Sequence, residues 1–211
     1  MKTIIIAGGN PPSKKLITKE LTKNTIIIAA DSGANILWKY KITPHYLIGD
    51  LDSIDYKALN FWINKNVNVV RYPTDKNFTD AELALKKAAA LKIKKITFFG
   101  CLGGKRVDHL LGALGLLDKC TKLNIEASLK DDNQTVTLLN KSTTIHNKIG
   151  SLFSLQAYGG TVKPLSITGA KYTLKNHSLK TGDSLTLSNE FCGKKVKITF
   201  KTGKLLLITV L

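Results

Sequence analysis

Thr25-Ile26-Ile27-Ile28-Ala29-Ala30-Asp31-Ser32-Gly33-Ala34-Asn35 is a short β-rich apolar run that breaks into a small, acidic turn and then into helix-forming sequence. A continuous apolar run of this length, closed by turn residues, reads as a buried strand, and the residues after the turn read as a helix laid back over it. The same unit recurs on both sides. Strands are predicted at residues 3–7, 25–30, 46–48, 67–72, 95–99 and 125–130, with helices at 12–23, 34–40, 55–65, 79–91 and 108–123. The fourth helix opens on Thr79-Asp80-Ala81-Glu82, a capping-box spacing ahead of alanine- and leucine-rich sequence. Alternation of this kind predicts a parallel sheet with helices on its faces.

After Asp131-Asp132-Asn133 the pattern changes to short strand-like runs at 135–139, 151–156, 172–174, 184–187, 195–200 and 204–210. Turns are expected at Gly159-Gly160, Lys175-Asn176, Thr181-Gly182-Asp183 and Thr202-Gly203, which predicts an antiparallel sandwich or barrel. The expected fold is α/β: an N-terminal parallel-sheet domain over 1–132, then a smaller C-terminal antiparallel β-sandwich over 133–211.

Composition narrows the function classes. No apolar run approaches the ~20 residues that span a bilayer, so no membrane role is expected, and the opening apolar stretch, cut short by Gly8-Gly9-Asn10-Pro11-Pro12, reads as a first strand rather than a secretory signal. Cys101, Cys120 and Cys192 form no Cys-x-x-Cys pair, which argues against a disulfide framework or structural zinc and points to the cytoplasm. A net charge of +17 raises nucleic-acid binding. The excess is lysine spread along the chain, without a basic block or an RNA-module aromatic motif, so no nucleic-acid partner is expected. Only two arginines occur, Arg71 and Arg106.

Small and acidic residues close the strands of the first half: Gly8-Gly9-Asn10, Asp31-Ser32-Gly33, Gly49-Asp50-Leu51-Asp52-Ser53, Pro73-Thr74-Asp75 and Gly100-Cys101-Leu102-Gly103-Gly104. Ligands of open parallel sheets bind outside the C-terminal strand ends, so these turns describe one site. If strand direction continues through Asp50-Leu51-Asp52, both carboxylates face one side and offer oxygens to a magnesium ion. Either could instead cap the next helix. Asp31 and Asp80 lie on the same expected edge, and four converging carboxylates would repel one another without a cation. In Gly103-Gly104-Lys105-Arg106-Val107-Asp108-His109 a glycine turn and an arginine could hold a phosphate; an Arg106–Asp108 surface pair is the competing reading. His109 reads as structural. Neither a Walker A sequence nor Gly-x-Gly-x-x-Gly is present.

At these residues the chain resembles the thiamine pyrophosphokinase family. The likeness runs in order through Asp31-Ser32-Gly33-Ala34-Asn35, Gly49-Asp50-Leu51-Asp52-Ser53, Thr79-Asp80, Gly104-Lys105-Arg106-Val107-Asp108-His109, Thr168-Gly169-Ala170-Lys171-Tyr172 and Leu187-Ser188-Asn189-Glu190. It implies an N-terminal catalytic domain, a C-terminal β-sandwich, and a homodimer with substrate bound between subunits. It further implies transfer of pyrophosphate from ATP to thiamine, with Asp50, Asp52 and Asp80 on magnesium. Arg106 and Gly104 would meet the ATP phosphates, Asp31 and Asp108 would fix the nucleotide, and Tyr172, Ser188 and Asn189 would face thiamine. For those last three, strand packing and turn capping stand as the competing reading.

Two departures from the family pattern stand out. Asn77 replaces a frequent carboxylate, and the Gly100–Arg106 turn holds one more residue than a common family spacing. Alternative functions are the same transfer to another hydroxymethyl heterocycle such as a pterin, or a non-catalytic nucleotide sensor.

Overall fold

The structure, a computed structural model, describes residues 2–104 and 106–211; Met1 and Lys105 lie outside the described residues. It divides into two compact units, Met1–Asp132 and Asn133–Leu211.

In the first unit the elements alternate: β1 (Lys2–Ile6), α1 (Lys14–Glu20), β2 (Thr25–Ala30), α2 (Gly33–Tyr40), β3 (Tyr46–Gly49), α3 (Tyr56–Asn64), β4 (Asn68–Arg71), α4 (Asp80–Ala90), β5 (Lys95–Phe99), α5 (Val107–Lys122) and β6 (Glu126–Lys130). Their strands lie in the order β6-β5-β1-β2-β3-β4, and every pairing among them is parallel. The chain walks outward from β1 to β4, then α4 carries it back to the far side of β1. Strand order therefore reverses between β1 and β5, the place where such sheets open a crevice.

Both sheet faces are covered, so the central strands are apolar throughout. Ile4, Ile5 and Ile6 are wholly buried. On one face Ile4, Ile6, Ile27, Ala29 and Leu47 pack with Leu16, Ile17, Leu37, Ala58 and Trp62 of α1, α2 and α3. The Trp62 indole N–H donates to the Ala34 carbonyl at 3.3 Å. α4 packs against β1, β2 and β3, and α5 against β6 and α4.

Helix starts reflect side-chain chemistry. Ser13 accepts from the Leu16 N–H, Asp55 from those of Lys57 and Ala58, and Thr79 from that of Glu82. The expected capping box is only half made, because the Glu82 carboxylate pairs with Lys119. α1 is shorter than its pattern, since the Thr25 hydroxyl accepts the Thr22 N–H at 2.8 Å and turns the chain early.

Glu20, at the end of α1, accepts from Lys2 and, at 2.8 Å, from Lys130 on β6, all three side chains being about four-fifths buried. Burial pushes the Glu20 carboxyl up, but the two lysines outweigh it and leave the pKa lowered. A lowered carboxylate pKa stabilises the fold above the ordinary glutamate range, and that contribution is lost as pH falls through the folded value. Glu20→Gln should therefore cost about 2 kcal/mol at neutral pH, a fall of ~4–8 °C in melting temperature. In thermal melts the gap to wild type should close as pH falls below the ordinary glutamate range; a constant gap would refute the ionic origin.

The second unit is all-β: β7 (Gln134–Leu139), β8 (Thr143–His146), β9 (Leu152–Ala157), β10 (Val162–Thr168), β11 (Leu174–Leu179), β12 (Asn189–Glu190), β13 (Lys195–Thr199) and β14 (Leu205–Val210). Antiparallel layers β12-β9-β14-β7 and β11-β10-β13-β8 enclose one core of Phe153, Leu155, Leu165, Ile167, Phe191, Val196, Ile198, Leu205 and Leu207. This is the sandwich expected from the turn spacing.

Within it, several expected elements differ. Residues 184–187 form a turn, not a strand: the Thr186 hydroxyl is buried and donates to the Leu155 carbonyl at 2.6 Å, while Leu185 and Leu187 face outward. Most of 172–174 precedes β11, which runs through the expected turn at Lys175-Asn176 by a register shift, with Asn176 at φ 51°. β8, β10 and β12 were not anticipated. Pro164 sits within β10 where β10 and β11 change register, so the missing N–H removes no ladder donor there.

Candidate active site

Glycines let the strand ends converge at the order reversal. A Cβ on Gly9 would lie 2.4 Å from the Gly100 carbonyl oxygen, so the chain leaving β1 and the chain leaving β5 meet only because that side chain is absent. A cleft of about 1050 Å³ opens there, walled by Gly8, Gly9, Asn10, Asp31, Asp50, Asp52, Lys76, Phe78, Asp80, Gly103, Gly104, Arg106, Asp108 and His109 among others. All of its lining comes from the first unit.

Asp31, Asp50 and Asp52 each place a carboxylate oxygen within 4.8 Å of the others. The pair at 50 and 52 converges, though not by strand pleating. β3 ends at Gly49, Leu51 turns left-handed at φ 69° with its side chain buried, and the Asp52 N–H reaches the Asp50 carboxylate at 3.4 Å. A non-glycine residue in that conformation is held at a cost of ~1 kcal/mol or more, here repaid by the buried leucine. Asp31 is left-handed too, at φ 45°, and its N–H donates to the Ile48 carbonyl at 2.8 Å. Its Oδ1 is buried without a hydrogen-bond donor. Burial, and then the charges of Asp80, Asp50 and Asp52, push its carboxyl up.

Asp80 stands at the first turn of α4, where the helix N-terminus favours a carboxylate. It is outside the close three-carboxylate group, and its Oδ1 lies 3.2 Å from the ammonium of Lys76. The same ammonium donates to Asp50 Oδ2 at 2.6 Å. That bond is the main cause of a lowered Asp50 pKa. Burial would lower the Lys76 pKa, but the two carboxylates outweigh it and raise it. Lys76 has no role in the sequence-based expectations; its position four residues before Asp80, hence beside the start of α4, is the signal that could have found it. Neighbouring Asn77 is exposed and does not line the cleft.

Arg106 and Asp108 form a two-pronged pair at the start of α5, Nε to Oδ1 at 3.1 Å and the terminal nitrogen to Oδ2, with both side chains about two-thirds exposed. Each perturbs the other: Asp108 raises the Arg106 pKa and Arg106 lowers that of Asp108. The surface-pair geometry is present, and it stands on the cleft wall. Gly103 and Gly104 precede it at φ 72° and 103°.

In the second unit Asn189 is almost wholly buried, and both ends of its amide are hydrogen-bonded. Its Oδ1 accepts from the Tyr172 and Glu190 N–H groups at 3.0 and 2.9 Å, and its Nδ2 donates to the Tyr172 carbonyl at 2.8 Å. The Tyr172 ring is left exposed. Ser188 is exposed and left-handed at φ 52°, its N–H donating to Ser154 Oγ.

Comparison with known proteins bears on both units. Residues 17–129 match the family model of the thiamin pyrophosphokinase catalytic domain, and residues 142–205 that of the thiamin pyrophosphokinase vitamin B1 binding domain. The chain is 32% identical over 214 residues to a thiamine pyrophosphokinase of Bacillus subtilis, covering 99% of this chain and 98% of that protein. It is 26% identical over 188 residues to thiamine pyrophosphokinase 1 of Oryza sativa, covering 82% and 68% respectively. A crystal structure of thiamine pyrophosphokinase from Bacillus subtilis superposes with a TM-score of 0.90 at 28% identity, covering 100% of this chain and 99% of that one. One from Candida albicans, at 17% identity, shares the fold with a TM-score of 0.86, over 100% of this chain and 88% of that one. With both family models matched in order along one chain and a relative aligned from end to end, the chain belongs to the thiamin pyrophosphokinase family.

Proposed function

We propose that the cleft of the first unit is where this enzyme passes the terminal diphosphate of ATP to the hydroxyl of thiamine, giving thiamine diphosphate and AMP. The three-carboxylate group at the strand ends carries the reading. Hard oxygen donors within 4.8 Å, together with a buried Asp31 oxygen lacking any hydrogen-bond donor, suit a magnesium ion. Asp50 and Asp52 would hold it, with Asp31 and Asp80 completing the acidic ring. When bound it supplies charge neutralisation to the phosphates.

The remaining work falls to side chains of this chain. Arg106 offers a planar fork to phosphate oxygens, which compete with Asp108 for it, and the glycines at 103 and 104 present backbone to the same anion. The alcohol oxygen bonds to the β-phosphorus, the bond from that phosphorus to the oxygen bridging the α-phosphate breaks, AMP leaves with that oxygen, and the hydroxyl proton is released. Positioning and charge balance dominate such a transfer. Tyr172 offers an aromatic face to a cationic thiazolium, and Asn189 sets that ring's position rather than meeting substrate itself. Ser188 keeps a free hydroxyl for the pyrimidine.

The vitamin B1 binding match at 142–205 supports thiamine over a pterin. Formation of AMP from ATP and magnesium, monitored chromatographically, should require thiamine and proceed at least ~100-fold more slowly with a hydroxymethylpterin, the discrimination that a few polar contacts supply. Equal rates would favour the pterin reading, and no AMP with either would favour the sensor. A homodimer is part of the same proposal, and sedimentation as a single 23.1 kDa chain would refute it. Among the described residues no helix is long and apolar enough to cross a membrane, and the three free cysteines fit a reducing cytoplasm.

A further inference from the structure

Lys76 differs from the chain's many surface lysines. Its side chain is only 12% exposed, it lines the cleft, and its ammonium meets carboxylates from two elements, hydrogen-bonded to Asp50 after β3 and in ion contact at 3.2 Å with Asp80 on α4, whose Oδ1 is buried without a hydrogen-bond partner. Asp50 has both oxygens committed, Oδ2 to Lys76 and Oδ1 to the Asp52 N–H. The ammonium thus supplies positive charge to this ring of carboxylates.

A magnesium ion held by Asp50 would draw on the same carboxylate oxygens. The ion and the ammonium would then be like charges a few ångströms apart, so they compete. Lysine suits an exchange of this kind, because it is a point charge on a flexible four-carbon stem. The polyphosphate that arrives with the cation offers it new acceptors in the same cleft.

We propose that Lys76 is a positioning residue that exchanges partners: it holds Asp50 and Asp80 together in the metal-free enzyme, yields them to the cation, and moves to the incoming phosphates. The inference rests on reading the cleft as a magnesium–nucleotide site. It makes the two ligands respond oppositely to one substitution. Lys76→Met keeps the length of the stem and removes the charge.

In calorimetric titration with MgCl2 alone, Lys76→Met should bind magnesium at least roughly tenfold more tightly than wild type. A non-hydrolysable ATP analogue at saturating magnesium should bind it roughly tenfold more weakly. Lys76→Arg, which keeps the charge, should stay near wild type in the first titration. A purely structural role for Lys76 predicts that both ligands bind more weakly, and that result, or unchanged magnesium affinity, overturns the proposal. If Lys76→Met does not fold, Lys76→Gln serves in the same titrations. Magnesium binding by neither wild type nor variant would refute the cation site itself, and the exchange with it.

Discussion

Asp52→Asn should lower turnover by at least ~100-fold while leaving the melting temperature within about 1 °C of wild type. Asp52 is exposed, and its side-chain bond is to the adjacent Ser53 hydroxyl, which an amide oxygen can still accept. The substitution therefore removes a charge with little change in shape or packing. Loss of a direct metal ligand facing transferring phosphates should cost well over ~1.4 kcal/mol of barrier, which is tenfold in rate. Activity above about a tenth of wild type, measured as AMP formation at saturating magnesium, would remove Asp52 from the metal site. Asp50→Asn should be as severe but less clean, since it also releases Lys76.

Arg106→Lys should lose a further ~100-fold in kcat/KM for ATP, the size seen when one preorganised donor to developing charge is removed. The fork now held by Asp108 is the geometry that a phosphate would take over, and an ammonium cannot reproduce its two parallel bonds. Asp108→Asn tests the partner: if Asp108 serves only to hold Arg106, ATP binding survives in that variant, and a loss of ATP binding would assign Asp108 to the nucleotide itself. Unchanged kinetics in Arg106→Lys would assign the pair to the surface alone.

Much of the first unit was legible because its signals are local. The strands at Thr25–Ala30 and Lys95–Phe99 are bounded by turn residues at both ends, and Asp55 and Thr79 mark their helices by capping chemistry. The second unit was less so. Ser184-Leu185-Thr186-Leu187 alternates like a strand with leucines inward, yet the buried side chain is Thr186, whose partner Leu155 lies on a distant strand. At the site, the acidic residues could be named from their turns. That Asp31 joins Asp50 and Asp52, and that Leu51 bends the chain to bring the latter pair together, depends on parallel register and a left-handed residue that no pattern announces. Lys76 is one lysine among many, and its spacing of four from Asp80 gains meaning only once Asp50 is seen to meet the same ammonium.

The return of α4 across the sheet also bears on how the chain is made. Ile4 pairs with Ile27 on one side and with Thr97 on the other, so β1 waits for its second neighbour until about half of the polypeptide has left the ribosome. During that interval one flank of β1, built from Ile4, Ile5 and Ile6, stays open to the backbone of any other extended chain. Long-range parallel pairing of this sort folds slowly and is exposed to aggregation meanwhile. The same topology that opens the crevice thus makes the nascent enzyme dependent on synthesis reaching β5, and no shorter N-terminal piece can hold both walls of the site.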